Sequence, residues 1–117
     1  MSDESIAVIA IAEIFGISGR RSELAALLTR TEQQAREFPG SRRYVFAADL
    51  ETPDQFVLVS EWDTYDAMAA YHRSQQFARY QFELHGLLAR ASEMTVYSVT
   101  DAVRPVPSGP PDPRDAD

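Results

Sequence analysis

Apolar residues fall along this chain in two rhythms, and each change of rhythm marks an element. Residues Ile6–Phe15 read IAVIAIAEIF, almost unbroken apolar and rich in β-branched side chains, which predicts a strand buried on both faces. A polar bend follows at Gly16–Gly19. From Arg21 to Phe38, the residues Leu24, Leu27, Leu28, Thr31, Ala35 and Phe38 recur at helical spacing. Glu23, Arg30, Glu32 and Arg36 fill the other side, so this is an amphipathic helix, ended by Pro39-Gly40. Two strands are predicted next, Arg42–Leu50 and Phe56–Asp63, around the turn ETPDQ. If Leu50 pairs with Phe56, Tyr44 faces Trp62 and Arg43 faces Asp63. Tyr44, Phe46, Ala48, Leu58, Ser60 and Trp62 then share one face, and Arg43, Val45, Ala47, Val57, Val59 and Glu61 the other. Thr64 is placed to cap a helix over Tyr65–Arg73, and Ser74 another over Gln75–Arg90, with Phe77, Tyr80, Leu84, Leu87 and Leu88 as its apolar stripe. A last strand is expected over Met94–Val103.

The order is β-α-β-β-α-β with the second helix broken in two. That is an α+β, ferredoxin-like pattern with a four-stranded antiparallel sheet. Helices cover one face of such a sheet. The face with Val45, Ala47, Val57 and Val59 stays apolar, and contiguous exposed apolar patches are rare on monomers. A second copy covering it implies a homodimer, sheet against sheet, as an α+β barrel. The folded domain is expected to span residues 1–103. The tail 104–117 holds five of the seven prolines and almost no apolar anchor, so it is expected to be extended and disordered.

Composition narrows the chemistry. The chain has 117 residues, 44% hydrophobic and 25% charged, as expected of one globular domain. It has no Cys, which removes disulfides, thiol catalysis and thiolate metal sites, and two His, 13 apart, which makes a metal centre improbable. Its formal net charge is −7, which argues against nucleic acid and against an anionic membrane surface. No Lys is present, so Schiff-base chemistry is excluded. The acidic start MSDES does not resemble a secretory or transit peptide, and a cytoplasmic protein is expected. GISG is too short to cradle a phosphate, and neither GxSxG nor HExxH occurs.

The informative stretch is EWDTYDAMAAYHRSQQF, Glu61 to Phe77. Ala67, Met68, Tyr71, Ser74 and Phe77 follow Trp62 at helical intervals and should face one space between helix and sheet. This segment resembles the signature of the antibiotic biosynthesis monooxygenase domain: Glu-Trp, a Ser/Thr cap, an Ala-Leu pair, an Ala-His and Ser-x-x-Phe. The preceding PGSRRYVFAADLETPDQFVLVSEW is similar to the family's middle hairpin, with Pro39-Gly40, Tyr44, Asp49, Pro53 and Phe56 in register. The likeness spans roughly residues 5–103. It implies a dimeric α+β barrel with one pocket per subunit, acting on quinols, anthrones and related phenols with O₂ and without metal, flavin or haem. In that chemistry a phenolate gives an electron to O₂, the radical pair collapses to a hydroperoxide, and loss of water leaves a quinone.

The resemblance also shapes the candidate site. The family's usual helical His falls at Tyr71, whereas the His here is His72, about 100° further round the helix. Tyr71 is therefore read as a hydrogen-bond partner for a substrate oxygen, since a phenol is a poor base at neutral pH. His72 is the alternative base, or else an exposed or dimer-contact residue. Tyr71, His72 and Trp62 are the catalytic candidates. Tyr44, Phe46, Met68 and Phe77 are the substrate-binding candidates, with ordinary sheet or core packing as the competing reading. No cofactor is called for. Haem-degrading relatives need an Asn on the first strand, a Trp at Tyr71 and a His at Gln81, and all three are missing. Two other functions stay open: a non-catalytic ligand-binding or regulatory barrel, and an isomerase or cyclase.

Overall fold

A computed structural model describes residues 6–106 and 109–111. Its elements run β1 (Val8–Phe15), α1 (Arg21–Ala35), β2 (Ser41–Ala48), β3 (Gln55–Trp62), α2 (Tyr65–His72), α3 (Gln75–His85) and β4 (Glu93–Ser98). The sheet order is β2-β3-β1-β4 and every neighbour is antiparallel. This is the ferredoxin-like α+β architecture the residue pattern predicts.

In β1 the residues Val8, Ala10, Ala12 and Ile14 are buried against the helices, while Ile9 and Ile11 on the opposite face are half-buried and Glu13 is exposed. β1 is thus fully covered on one face of this chain, not on both. The helical side of the core is completed by Leu24, Leu27 and Leu28 of α1 and by Phe77, Tyr80 and Leu84 of α3. Polar arms of α1 and of its C-cap residue also reach the edge strand: Arg36 Nε donates to the Tyr44 carbonyl at 3.2 Å, and the Phe46 amide donates to Glu32 at 2.8 Å.

The hairpin register differs from the expected one by two residues. Ala48 pairs with Phe56 and Tyr44 with Ser60, so Trp62 lies beyond Tyr44 instead of opposite it. The turn explains the slip. The Asp49 carboxylate accepts the amides of Glu51 and Thr52 at 3.0 and 2.7 Å, and the Asp49 amide donates to the Gln55 carbonyl at 2.9 Å. This Asx-type turn starts the loop at Asp49 and leaves Leu50 fully exposed. A shift of two preserves faces, so Tyr44, Phe46, Ser60 and Trp62 still share the helix side. Arg43 now meets Glu61 at 3.8 Å, and Asp63 pairs with Arg42 at 3.2 Å.

Two elements are shorter than expected. α3 stops at His85 because the next residues pair with the start of the chain: the Ile17 amide donates to the Leu87 carbonyl and the Ala89 amide to the Phe15 carbonyl. β4 ends at Ser98, opposite Val8, where β1 itself begins. Of the proline-rich tail, residues 104–106 and 109–111 carry no helix or strand; the remainder, like the first five residues, lies outside the described residues.

Candidate active site

The break between α2 and α3 positions the site. Thr64 and Ser74 both cap, their hydroxyls accepting the amides of Ala67 and Phe77 at 3.0 and 3.1 Å. Ser74 also donates to the Tyr71 carbonyl at 2.6 Å, closing α2 beneath Tyr71. The turn from α1 into β2 passes through Gly40, whose φ of +87° suits glycine and which lies against Ala67 of α2. The Gly40 carbonyl accepts the Asp63 amide at 2.9 Å, tying the end of β3 to the turn after α1.

Tyr71 is the hub of an aromatic cluster. Its ring stacks on Trp62 at 5.4 Å and meets Tyr44 at 5.6 Å, Phe77 at 5.2 Å and Phe38 at 5.2 Å edge-on. Tyr71 and Trp62 are 0% exposed and Tyr44 is 2% exposed. The Tyr71 hydroxyl donates to that of Tyr44 at 3.5 Å, and the Trp62 indole N–H donates to Ser60 Oγ at 3.2 Å. Burial pushes the phenol of Tyr44 far up, with the Tyr71 hydroxyl adding to the effect, and burial raises Tyr71 and Tyr80 as well. These phenols stay protonated at neutral pH and are not bases.

The other predicted residues surround this centre at different depths. Met68, on α2, is buried in the core. Phe46 stands at the outer side, its ring 5.6 Å from Tyr44 and 6.3 Å from Tyr80, and it lines a cavity of about 250 Å³ with Leu28, Glu32 and Phe56. His72 is half-buried at the rim, its ring 4.7 Å from Phe77 and 5.8 Å from Tyr71. Desolvation lowers its pKa below the ordinary value of 6.5, which favours the neutral imidazole. Among the described residues no cluster of three or more His, Cys, Asp or Glu could hold a metal ion, and no helix is long and apolar enough to cross a membrane.

A family model for antibiotic biosynthesis monooxygenase matches residues 7–82, most of the fold and all seven predicted site residues. The chain belongs to this family. Its fold is similar to that of a protein from Deinococcus radiodurans assigned to antibiotic biosynthesis monooxygenase, with TM-score 0.81, 22% identity and 86% of this chain and 99% of that one covered. Rv0793 from Mycobacterium tuberculosis is similar at TM-score 0.76 and 25% identity, covering 83% of this chain and 98% of its own. A Nitrosomonas europaea protein with the same assignment has TM-score 0.75 and 15% identity, over 80% and 99%. No curated protein matches.

Within this family member, sequence spacing singled out Tyr44, Trp62, Tyr71 and Phe77, and the fold brings those four together. Phe38, Tyr80 and Ser60 join them, though spacing marked the first two only as stripe residues of their helices. The signal for all three was present as apolar or small positions facing the same layer, but nothing local joined α1 and α3 to one another.

Proposed function

We propose that the chain is a cofactor-independent monooxygenase that oxidises a small aromatic quinol or polyketide-type phenol with O₂, working as a homodimer. The observation that carries this reading is the water-excluded cluster of Tyr44, Trp62 and Tyr71, in which two neutral hydroxyls and an indole project into aromatic surroundings. Aromatic walls suit a flat ring, and few polar tips orient it. In a dry site a phenolate is poorly solvated, so its electron is more available to O₂. One electron passes from the ionised ring to O₂, the two radicals join as a carbon-bound peroxide anion, the proton taken from the phenol returns to make it a hydroperoxide, and loss of water with the hydrogen on that carbon leaves a carbonyl. One oxygen atom is thereby retained and the other leaves as water. Tyr71, held protonated, donates a hydrogen bond to the substrate oxygen, and neutral His72 at the rim accepts the phenol proton.

The homodimer reading is supported by the half-covered outer face with Ile9, Ile11, Val45, Val57 and Val59, which a second sheet would close. One observation favours a second reading, a ligand-binding barrel without turnover: the rings of Tyr44, Trp62, Tyr71 and Phe38 already pack on one another. Oxygen uptake by metal-free protein with a panel of naphthoquinols and anthrones separates the two. Stoichiometric O₂ consumption that yields the quinone supports the oxygenase. Saturable binding with no uptake across the panel supports the binding barrel.

A further inference from the structure

A groove runs between α1 and α3 on the outside of the helical layer, away from the hydroxyls of the aromatic cluster. Residues Leu27, Arg30 and Gln34 of α1 face Gln76, Arg79 and Glu83 of α3, at helical spacing on both sides. Arg30 and Glu83 join across it at 3.3 Å and divide it. On the far side of that strap lies a cavity of about 540 Å³ whose lining includes Gln34, Phe38, Gln76 and Arg79.

Three features of that cavity point to a ligand. Arg79 has no carboxylate within ion-pair distance among the described residues, although Glu37 lines the same cavity, whereas Arg30 and Arg36 are both committed. The Gln76 amide nitrogen is shut off from solvent and meets no acceptor, a state that native proteins seldom leave unrelieved. Phe38 offers a half-buried ring whose other side rests on Tyr71 and Trp62. A fork of guanidinium donors, an idle amide donor and an aromatic wall are the complement of an aromatic ring bearing a carboxylate.

We propose that this end of the α1–α3 groove binds a small aromatic carboxylate, with the acid on Arg79 and on the Gln76 amide, whose side chain turns outward to meet it, and the ring against Phe38. The site concerns binding and stands apart from the oxygenation reading. The test is titration of the full chain with 2-naphthoate, its neutral counterpart 2-naphthamide, and inorganic phosphate, followed by calorimetry and amide shifts. Saturable naphthoate binding is expected, weakened about tenfold or more by Arg79→Ala and by Gln76→Leu. Naphthamide should bind more weakly and be indifferent to Arg79→Ala, and phosphate should not displace naphthoate. Arg79 is exposed, so its substitution should leave the thermal midpoint unchanged and report binding alone. Absence of saturable naphthoate binding, equal affinity in Arg79→Ala, or displacement by phosphate at comparable concentration would each overturn the proposal. Oxygen uptake is not read in this experiment, so its result is separable from that of the quinol panel.

Discussion

The hydroxyls of Tyr44 and Tyr71 stand 3.5 Å apart in a space closed to solvent, one carried by an edge strand and the other by a helix two elements later. Each is the other's side-chain partner. Removing one leaves its neighbour buried and unpaired. Tyr71→Phe is therefore expected to destabilise the fold by about 1–2 kcal/mol, and Tyr44→Phe by a similar amount. The double variant should cost less than the sum, because it buries no orphan. Urea unfolding of the four proteins measures this coupling, and strict additivity would show that the hydroxyls do not interact. In an active enzyme, Tyr71→Phe should also lower turnover.

Trp62 is the chain's single tryptophan and is wholly buried, stacked on Tyr71 and hydrogen-bonded to Ser60. Native fluorescence should be blue-shifted and move red on unfolding. Trp62→Ala should cost about 3–5 kcal/mol through the void it leaves. Emission typical of a water-exposed indole in the native protein would contradict the closed cluster.

His72 supplies a pH dependence with a definite sign. Its folded pKa is depressed by desolvation, so the unfolded chain binds the proton more readily. The stability linked to its neutral form is complete above the ordinary value of 6.5 and declines as pH falls from there through the lowered folded value. The midpoint of chemical unfolding should fall over that window in the parent, and His72→Gln should flatten the fall. Equal slopes in the two proteins would remove the assignment.

The outer sheet face predicts assembly. Light scattering at micromolar concentration should give about twice the 13.1 kDa chain mass. Val59→Asp, at the centre of that face opposite Ile11 and Val45, should shift the protein to monomer. A monodisperse parent monomer would rule out the barrel.

Two glycines should respond in opposite ways. A Cβ at Gly40 would lie 2.4 Å from the Ala67 Cβ, on a backbone with φ +87°, so Gly40→Ala should cost about 2 kcal/mol or more and displace α2. Gly86, with φ −74° at the end of α3 and open space around it, should accept Ala with no loss or a gain of about 0.5 kcal/mol. Thermal melts of the two variants decide the comparison.

The side-chain periods by themselves determined the element order, the caps at Thr64 and Ser74, and the face on which Tyr44, Phe46, Ser60 and Trp62 point. These properties are local or survive a shift of two residues along a strand. For the same reason the period could not choose between Tyr44 opposite Trp62 and Tyr44 opposite Ser60. The carboxylate of Asp49 chose, by starting the turn two residues early. Where α3 ends was likewise decided at a distance, by pairing of Leu87 and Ala89 with residues 15–17, since helical propensity alone continues to Arg90. The site divides along the same line. Trp62, Tyr71 and Phe77 lie within one short stretch whose spacing aims them together, so they were legible as a group. Phe38 and Tyr80 reach the cluster, and Gln76 and Arg79 face α1, only because two helices distant in sequence lie side by side on one sheet. That packing is a tertiary outcome with no local pattern to announce it.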